Sequence, residues 1–119
     1  MQKLSFQEEE LMQAIWKSGG GFIRDFMEQI QDPPPYTTVA STVKNLEKKQ
    51  FVSSKKMANS YYYAPLIQED EYARTHLSGF VQDYFKNSYK ELVSFFVKNK
   101  KLSEKELKEI VALIEKGQK

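Results

Sequence analysis

The residues best suited to chemistry lie in one run, Tyr36-Thr37-Thr38-Val39-Ala40-Ser41-Thr42-Val43-Lys44-Asn45-Leu46-Glu47-Lys48-Lys49. Read as a helix turning about 100° per residue, it has two unlike faces. Val39, Thr42, Val43 and Leu46 cluster on one side as a core seam. Thr37, Ala40, Ser41, Lys44 and Lys48 point the opposite way, with Asn45 on their flank and no acid among them. Small side chains permit close approach to a surface, and hydroxyls and ammoniums suit phosphate oxygens and base edges. A solvated helix face has the same composition, so the reading depends on its neighbours.

Those neighbours are basic. Residues 44–56 hold Lys44, Lys48, Lys49, Lys55 and Lys56 against Glu47 alone. On a 119-residue chain with a net charge of only +2, such a local patch fits nucleic acid better than general stickiness does. Catalytic readings find little support. With no cysteine there is no disulfide, thiolate metal site or cysteine nucleophile. The single histidine, His76, reads as a partly exposed structural residue, and no serine or threonine is paired with it. Glu8-Glu9-Glu10 is consecutive on a helix, so its carboxylates diverge. No cofactor, metal or enzyme activity is expected. No apolar run approaches the roughly 20 residues that cross a bilayer, and no signal peptide opens the sequence. The expectation is a soluble, cytoplasmic protein without stable membrane association.

The basic helix must be positioned by other elements. Ser5-Phe6-Gln7-Glu8 is a capping box, and Leu11, Met12, Ile15 and Trp16 follow at helical spacing. This predicts a first helix from about Phe6 to Lys17, ended by Gly19-Gly20-Gly21 as a short flexible joint. Ile23, Phe26, Met27 and Ile30 mark a second helix, stopped by Asp32-Pro33-Pro34-Pro35. Tyr36 and Thr37 open the third, with a threonine hydroxyl as its cap, and Gln50-Phe51 closes it. Then the period changes. Phe51–Lys55 and Ser60–Ala64 read as strands around the turn Met57-Ala58-Asn59-Ser60, and Pro65 ends the second. Trp16 and Tyr62 are most simply core residues. Three helices and a hairpin, in that order, make a winged helix-turn-helix: the third helix enters the major groove and the hairpin reaches the flanking backbone.

From Gln68 the chain turns helical again. Ala73, Leu77, Phe80, Val81, Tyr84 and Phe85 keep helical spacing until Asn87-Ser88 interrupts. Tyr89, Leu92, Val93 and Phe96 form a second stripe. A second capping box, Ser103-Glu104-Lys105-Glu106, precedes Leu107, Ile110, Val111 and Ile114. The expected fold class is mainly α with a small β-hairpin: a winged helix-turn-helix domain over residues 1–66, then a three-helix dimerisation domain over residues 67–119. Helices this short cannot bury Phe80, Tyr84, Phe85, Phe95 and Phe96 alone, and a second copy would cover them. The expected homodimer interface comprises Leu77, Phe80, Val81, Tyr84, Phe85, Leu92, Val93, Phe96, Ile110 and Ile114. The alternative is a monomer whose helices fold back onto the first domain.

Several segments also resemble the penicillinase repressor family, called BlaI/MecI, with the copper-responsive CopY repressors as relatives. They are Leu4-Ser5-Phe6-Gln7-Glu8-Glu9-Glu10-Leu11-Met12 with Trp16, the whole run Tyr36–Lys49, Tyr61-Tyr62-Tyr63-Ala64-Pro65, and Leu102-Ser103-Glu104-Lys105-Glu106-Leu107. The similarity covers nearly the whole chain in order. It implies a dimeric winged-helix repressor on a two-fold symmetric operator. Thr37, Thr38, Ser41 and Asn45 fall on the family's DNA-contacting positions, and Lys55, Lys56 and the turn at Asn59 on its wing. Many members carry arginine where this chain has Asn45; asparagine prefers adenine and arginine guanine, so readout there should differ. The resemblance further implies a membrane sensor protease as partner, with cleavage at an Asn-Phe bond. The matching bond here is Phe95-Phe96, which lacks the asparagine. The CopY branch senses copper through a cysteine-rich hook that this chain cannot form.

The expected function is therefore a repressor of transcription that binds an inverted-repeat operator in double-stranded DNA. Lys44, Lys48, Lys55 and Lys56 would contact phosphates, and disruption of the dimer would release it. The competing reading is a winged-helix protein-interaction adaptor without specific DNA binding.

Overall fold

The computed structural model describes residues 2–117, and the side chains of residues 2–112. The chain divides into two compact units, Met1–His76 and Leu77–Lys119.

In the first unit α1 (Phe6–Ser18), α2 (Ile23–Glu28) and α3 (Tyr36–Lys48) bury the stripes their spacing predicts. Leu11, Met12 and Ile15 of α1, Ile23 and Phe26 of α2, and Val39, Val43 and Leu46 of α3 share one core. Sealing each such side chain from water contributes about 1.5–3 kcal/mol. The capping box at α1 is complete: Ser5 Oγ accepts from the Glu8 N–H, and Glu8 Oε1 accepts from the Ser5 N–H. At α3 the expected threonine cap is absent. Pro35 holds the cap position with no side-chain hydrogen bond, its carbonyl accepting from the Thr38 and Val39 N–H groups. Thr37 already lies inside the first turn and stays exposed.

β1 (Val52–Met57) and β2 (Ser60–Pro65) pair antiparallel, from Val52 opposite Pro65 to Met57 opposite Ser60. Both strands run further than expected, and the turn shrinks to Ala58-Asn59, with Ala58 at φ 56°. The glycine triplet is not a flexible joint. Gly19 caps α1 at φ 75°. Gly21 donates to the Tyr63 carbonyl at 2.9 Å and accepts from the Tyr63 N–H at 2.8 Å, an isolated antiparallel bridge to β2. Gly20 lies between them at φ 118°, where a Cβ would come within 3.0 Å of the Tyr63 carbonyl.

The boundary between the units falls within α4 (Glu69–Phe85) rather than at residue 66. Tyr72 is the reason. It is buried among Trp16, Phe51 and His76, and its hydroxyl accepts from the Leu4 N–H. Trp16 donates from Nε1 to the Ile67 carbonyl at 2.8 Å. The first two turns of α4 thus belong to the first core, and Ala73, assigned to the stripe by spacing, is exposed.

In the second unit α4 ends in two left-handed residues, Lys86 and Asn87. Ser88 caps α5 (Tyr89–Lys98), and the box of Ser103 and Glu106 starts α6 (Glu104–Gly117). Phe80, Tyr84, Phe85, Phe95 and Phe96 form a chain of ring contacts with centroids 4.9–5.9 Å apart. Among the described residues of this unit only Val81 is buried. Leu77, Phe80, Tyr84, Phe95 and Phe96 remain exposed; Phe85, Leu92, Val93 and Ile110 are half-buried. Val81 is already buried within the single chain. The Ile114 side chain lies outside the described residues.

One ion pair links α1 to the end of α3. Lys49 Nζ lies 2.8 Å from the buried Glu8 Oε1. Burial alone would raise the Glu8 pKa, but the Lys49 ammonium and the Ser5 donors outweigh it and hold it below the usual carboxylate value. A lowered folded-state pKa stabilises the fold above the unfolded value and loses that contribution as pH falls. Glu8→Gln is expected to destabilise the chain by about 1–3 kcal/mol at pH 7, a difference that narrows below about pH 4. Urea titrations at both pH values check this; an unchanged difference contradicts it. Gly20→Ala should cost about 1–3 kcal/mol in the same assay, because alanine is strained at that φ and crowds Tyr63.

Candidate nucleic-acid interface

The buried seam of α3 sets the direction of its other face. Val39, Thr42, Val43 and Leu46 are buried, which leaves Thr37, Ser41, Lys44, Asn45 and Lys48 exposed. Thr38 is half-buried. Its carbonyl accepts from Thr42 Oγ1 at 2.9 Å and from Ser41 Oγ at 3.0 Å. Thr42 can be buried because its hydroxyl is satisfied in this way. With its proton turned inward, Ser41 presents lone pairs outward, suited to accept from a base amino group.

The hairpin stands along one edge of this face. Glu47 accepts from Ser54 of β1, and Tyr36 lines a cleft with the hairpin tip, so both mark the edge of α3 nearest the strands. Helical rotation puts Lys44 and Thr37 beside that edge. Consecutive strand residues point to opposite faces, so Lys55 and Lys56 diverge. Lys56 pairs with Tyr61 and shares the face of Tyr63, which is buried against the core; Lys55 pairs with Tyr62 on the other face. Tyr62 is half-buried and meets Phe22 edge-on at 5.5 Å, so Tyr63 rather than Tyr62 is the buried tyrosine. Burial raises the Tyr63 hydroxyl above its ordinary pKa, assisted by Glu47. Asn59 sits exposed in the turn.

Electrostatics narrow the patch. Lys49 is committed to Glu8 and leaves the outward set. The ion pairs among the described residues do not involve Lys44, Lys48, Lys55 or Lys56. A cation that the linear charge count omitted joins them: Arg24 of α2, whose guanidinium carbon lies 5.4 Å from the centre of the Tyr36 ring. It is 12 residues away from Tyr36 in sequence, across the proline turn, and no periodicity connects the two. The arrangement has charge, hydroxyls and amide groups on a convex helix beside a hairpin. The aromatic pair Phe95-Phe96 belongs to α5, in the second unit.

Comparison with known proteins gives the family. The chain is 26% identical over 116 residues to the methicillin resistance regulatory protein MecI of Staphylococcus aureus strain N315, covering 96% of this chain and 94% of that one. It is 26% identical over 110 residues to a penicillinase repressor of Staphylococcus aureus, at 91% and 87% coverage. A penicillinase repressor of Bacillus licheniformis is 23% identical over 115 residues, at 95% and 90%. The sequence model of the penicillinase repressor family matches residues 4–116, and the chain, a winged helix-turn-helix unit followed by a helical unit, belongs to that family of transcriptional repressors.

Proposed function

We propose that this protein represses transcription as a homodimer, each copy placing α3 in a major groove of a two-fold symmetric operator. The observation that carries this is the acid-free exposed row of Thr37, Ser41, Lys44, Asn45 and Lys48, aimed outward by a fully buried opposite seam. Thr37, Thr38, Ser41 and Asn45 stand at or near base edges. Lys44, Lys48 and the wing lysines neutralise phosphates and release counterions, which makes binding salt-dependent. Asn59 at the wing tip meets the flanking backbone.

The second unit supports the dimer. Its exposed rings at Phe80, Tyr84, Phe95 and Phe96 need a cover, and a symmetric copy is the usual closed solution. Two linked half-sites bind far more tightly than one, so whatever breaks the dimer releases the DNA. Repression is steric exclusion of polymerase from the promoter. Scission between Phe95 and Phe96 by a signalling protease would cut the helix that carries both rings, and would relieve repression.

Fluorescence-anisotropy titration against a duplex from the gene's own upstream region and a scrambled duplex tests the DNA arm. Lys44→Ala and Lys56→Ala should weaken both duplexes and lower the log–log salt slope by about 0.9 each. Ser41→Ala should weaken the upstream duplex more than the scrambled one, by about 1–3 kcal/mol of discrimination at most. Salt slopes unchanged in both lysine variants would show that α3 is not the docking face. For the dimer, Phe96→Asp should shift sedimentation from dimer to monomer and weaken operator binding; a wild type that sediments as a monomer would falsify this arm.

A further inference from the structure

The cleft beside α3 has no role in the reading so far. It measures about 600 Å³ and is bounded by Arg24 at the start of α2, by Tyr36 at the start of α3, and by Asn59, Ser60, Tyr61 and Tyr63 of the hairpin. Its chemistry is mixed: aromatic walls, a turn rich in small polar groups, and one exposed guanidinium. Its lining also holds one exposed acid, Asp25, whose Oδ2 accepts from the Phe22 N–H at 2.9 Å and is occupied in capping α2. Lys56 shares the strand face of Tyr61 and Tyr63 and adds a second cation on that side.

Resting on the DNA-binding reading above, the geometry points to this cleft as the seat of one sugar–phosphate strand, with Arg24 as its phosphate ligand and Tyr36 as the residue that positions Arg24. Three observations converge. The cleft opens at the edge of α3 that carries Thr37 and Lys44, so a strand bordering the groove occupied by α3 passes across it. Arg24 is held over the Tyr36 ring at 5.4 Å, in a cation–π contact that limits the rotamers of a long side chain and leaves its N–H fork free for phosphate oxygens. Tyr36 and Tyr61 remain 46% and 50% exposed, and their faces suit the apolar edges of deoxyribose. The arrangement also accounts for a side chain that has no salt-bridge partner among the described residues, since Arg24 is in none of the ion pairs there. A small planar acid between the rings would need the same arginine, but nothing places a deep enclosed pocket there.

The test uses the full chain and a random-sequence duplex, because a phosphate contact is indifferent to sequence. Arg24 and Tyr36 are exposed, so their variants should fold; a thermal melt coincident with wild type verifies this. Arg24→Ala is expected to weaken binding about fivefold to tenfold near 0.1 M salt and to lower the log–log salt slope by about 0.9. Arg24→Lys should keep the slope while losing part of the affinity, since charge remains and the bidentate fork does not. Tyr36→Phe should match wild type. Tyr36→Leu should weaken binding without changing the slope, the signature of a positioning residue rather than a charge. Wild-type affinity and slope in Arg24→Ala would overturn the cleft assignment while leaving the α3 reading intact. A wild-type protein that binds no duplex at low salt overturns both.

Discussion

Everything outward-facing in the first unit depends on how α3 is rotated about its own axis. Val39, Val43 and Leu46 lock that rotation by packing against α1 and α2. Thr42 completes the seam because its hydroxyl finds the Thr38 carbonyl within the helix and carries no unsatisfied polar group into the core. A turn of about 100° would bury Lys44 or Asn45 at a cost of several kcal/mol and expose three aliphatic side chains. The acid-free row is therefore fixed from behind. The groups that would meet a polyanion have no need of contacts with one another, and this leaves them free for a ligand.

The hairpin obeys a similar logic. Tyr63 is buried, and its backbone exchanges two hydrogen bonds with Gly21, so the sheet is tied to the start of α2 by main chain rather than by side chains. Gly20 permits this because only glycine adopts its φ while the backbone passes so close to Tyr63. Charge is sorted by the same packing. Glu47 is taken by Ser54, and Lys49 by Glu8. What remains facing outward is more uniformly cationic than the linear sequence, with Lys44, Lys48, Lys56 and Arg24 on or beside one surface.

The second unit is built differently. α5 and α6 are capped at their starts and strongly amphipathic, yet Phe80, Tyr84, Phe95 and Phe96 stay open. Local helix signals and burial have separated: capping boxes and apolar spacing specify helices, while about 40 residues supply too little core to seal large aromatic stripes. An incomplete core of this kind suits a protein whose active state is proposed to be an assembly, because a second copy would cover what one chain leaves exposed.

Sequence by itself determined the kinds of element and most of their order. The capping boxes at Ser5 and Ser103, the proline stop and the seam of α3 are local signals, and the structure keeps each of them. The family, and with it the winged-helix class, was legible in those same segments. Tertiary structure alone decided which residues meet. Tyr72 joins the first core, and so moves the unit boundary into α4, because it finds Trp16 and Phe51 more than 20 residues away in sequence. The triple glycine is a bridge to β2 rather than a hinge because Tyr63 lies opposite it. Arg24 is brought beside the start of α3 by its contact with the ring of Tyr36. Periodicity reports which side of an element is apolar. It carries no information on which distant partner that side, or a charged residue beside it, will find, and that partner is what burial and hydrogen bonding select.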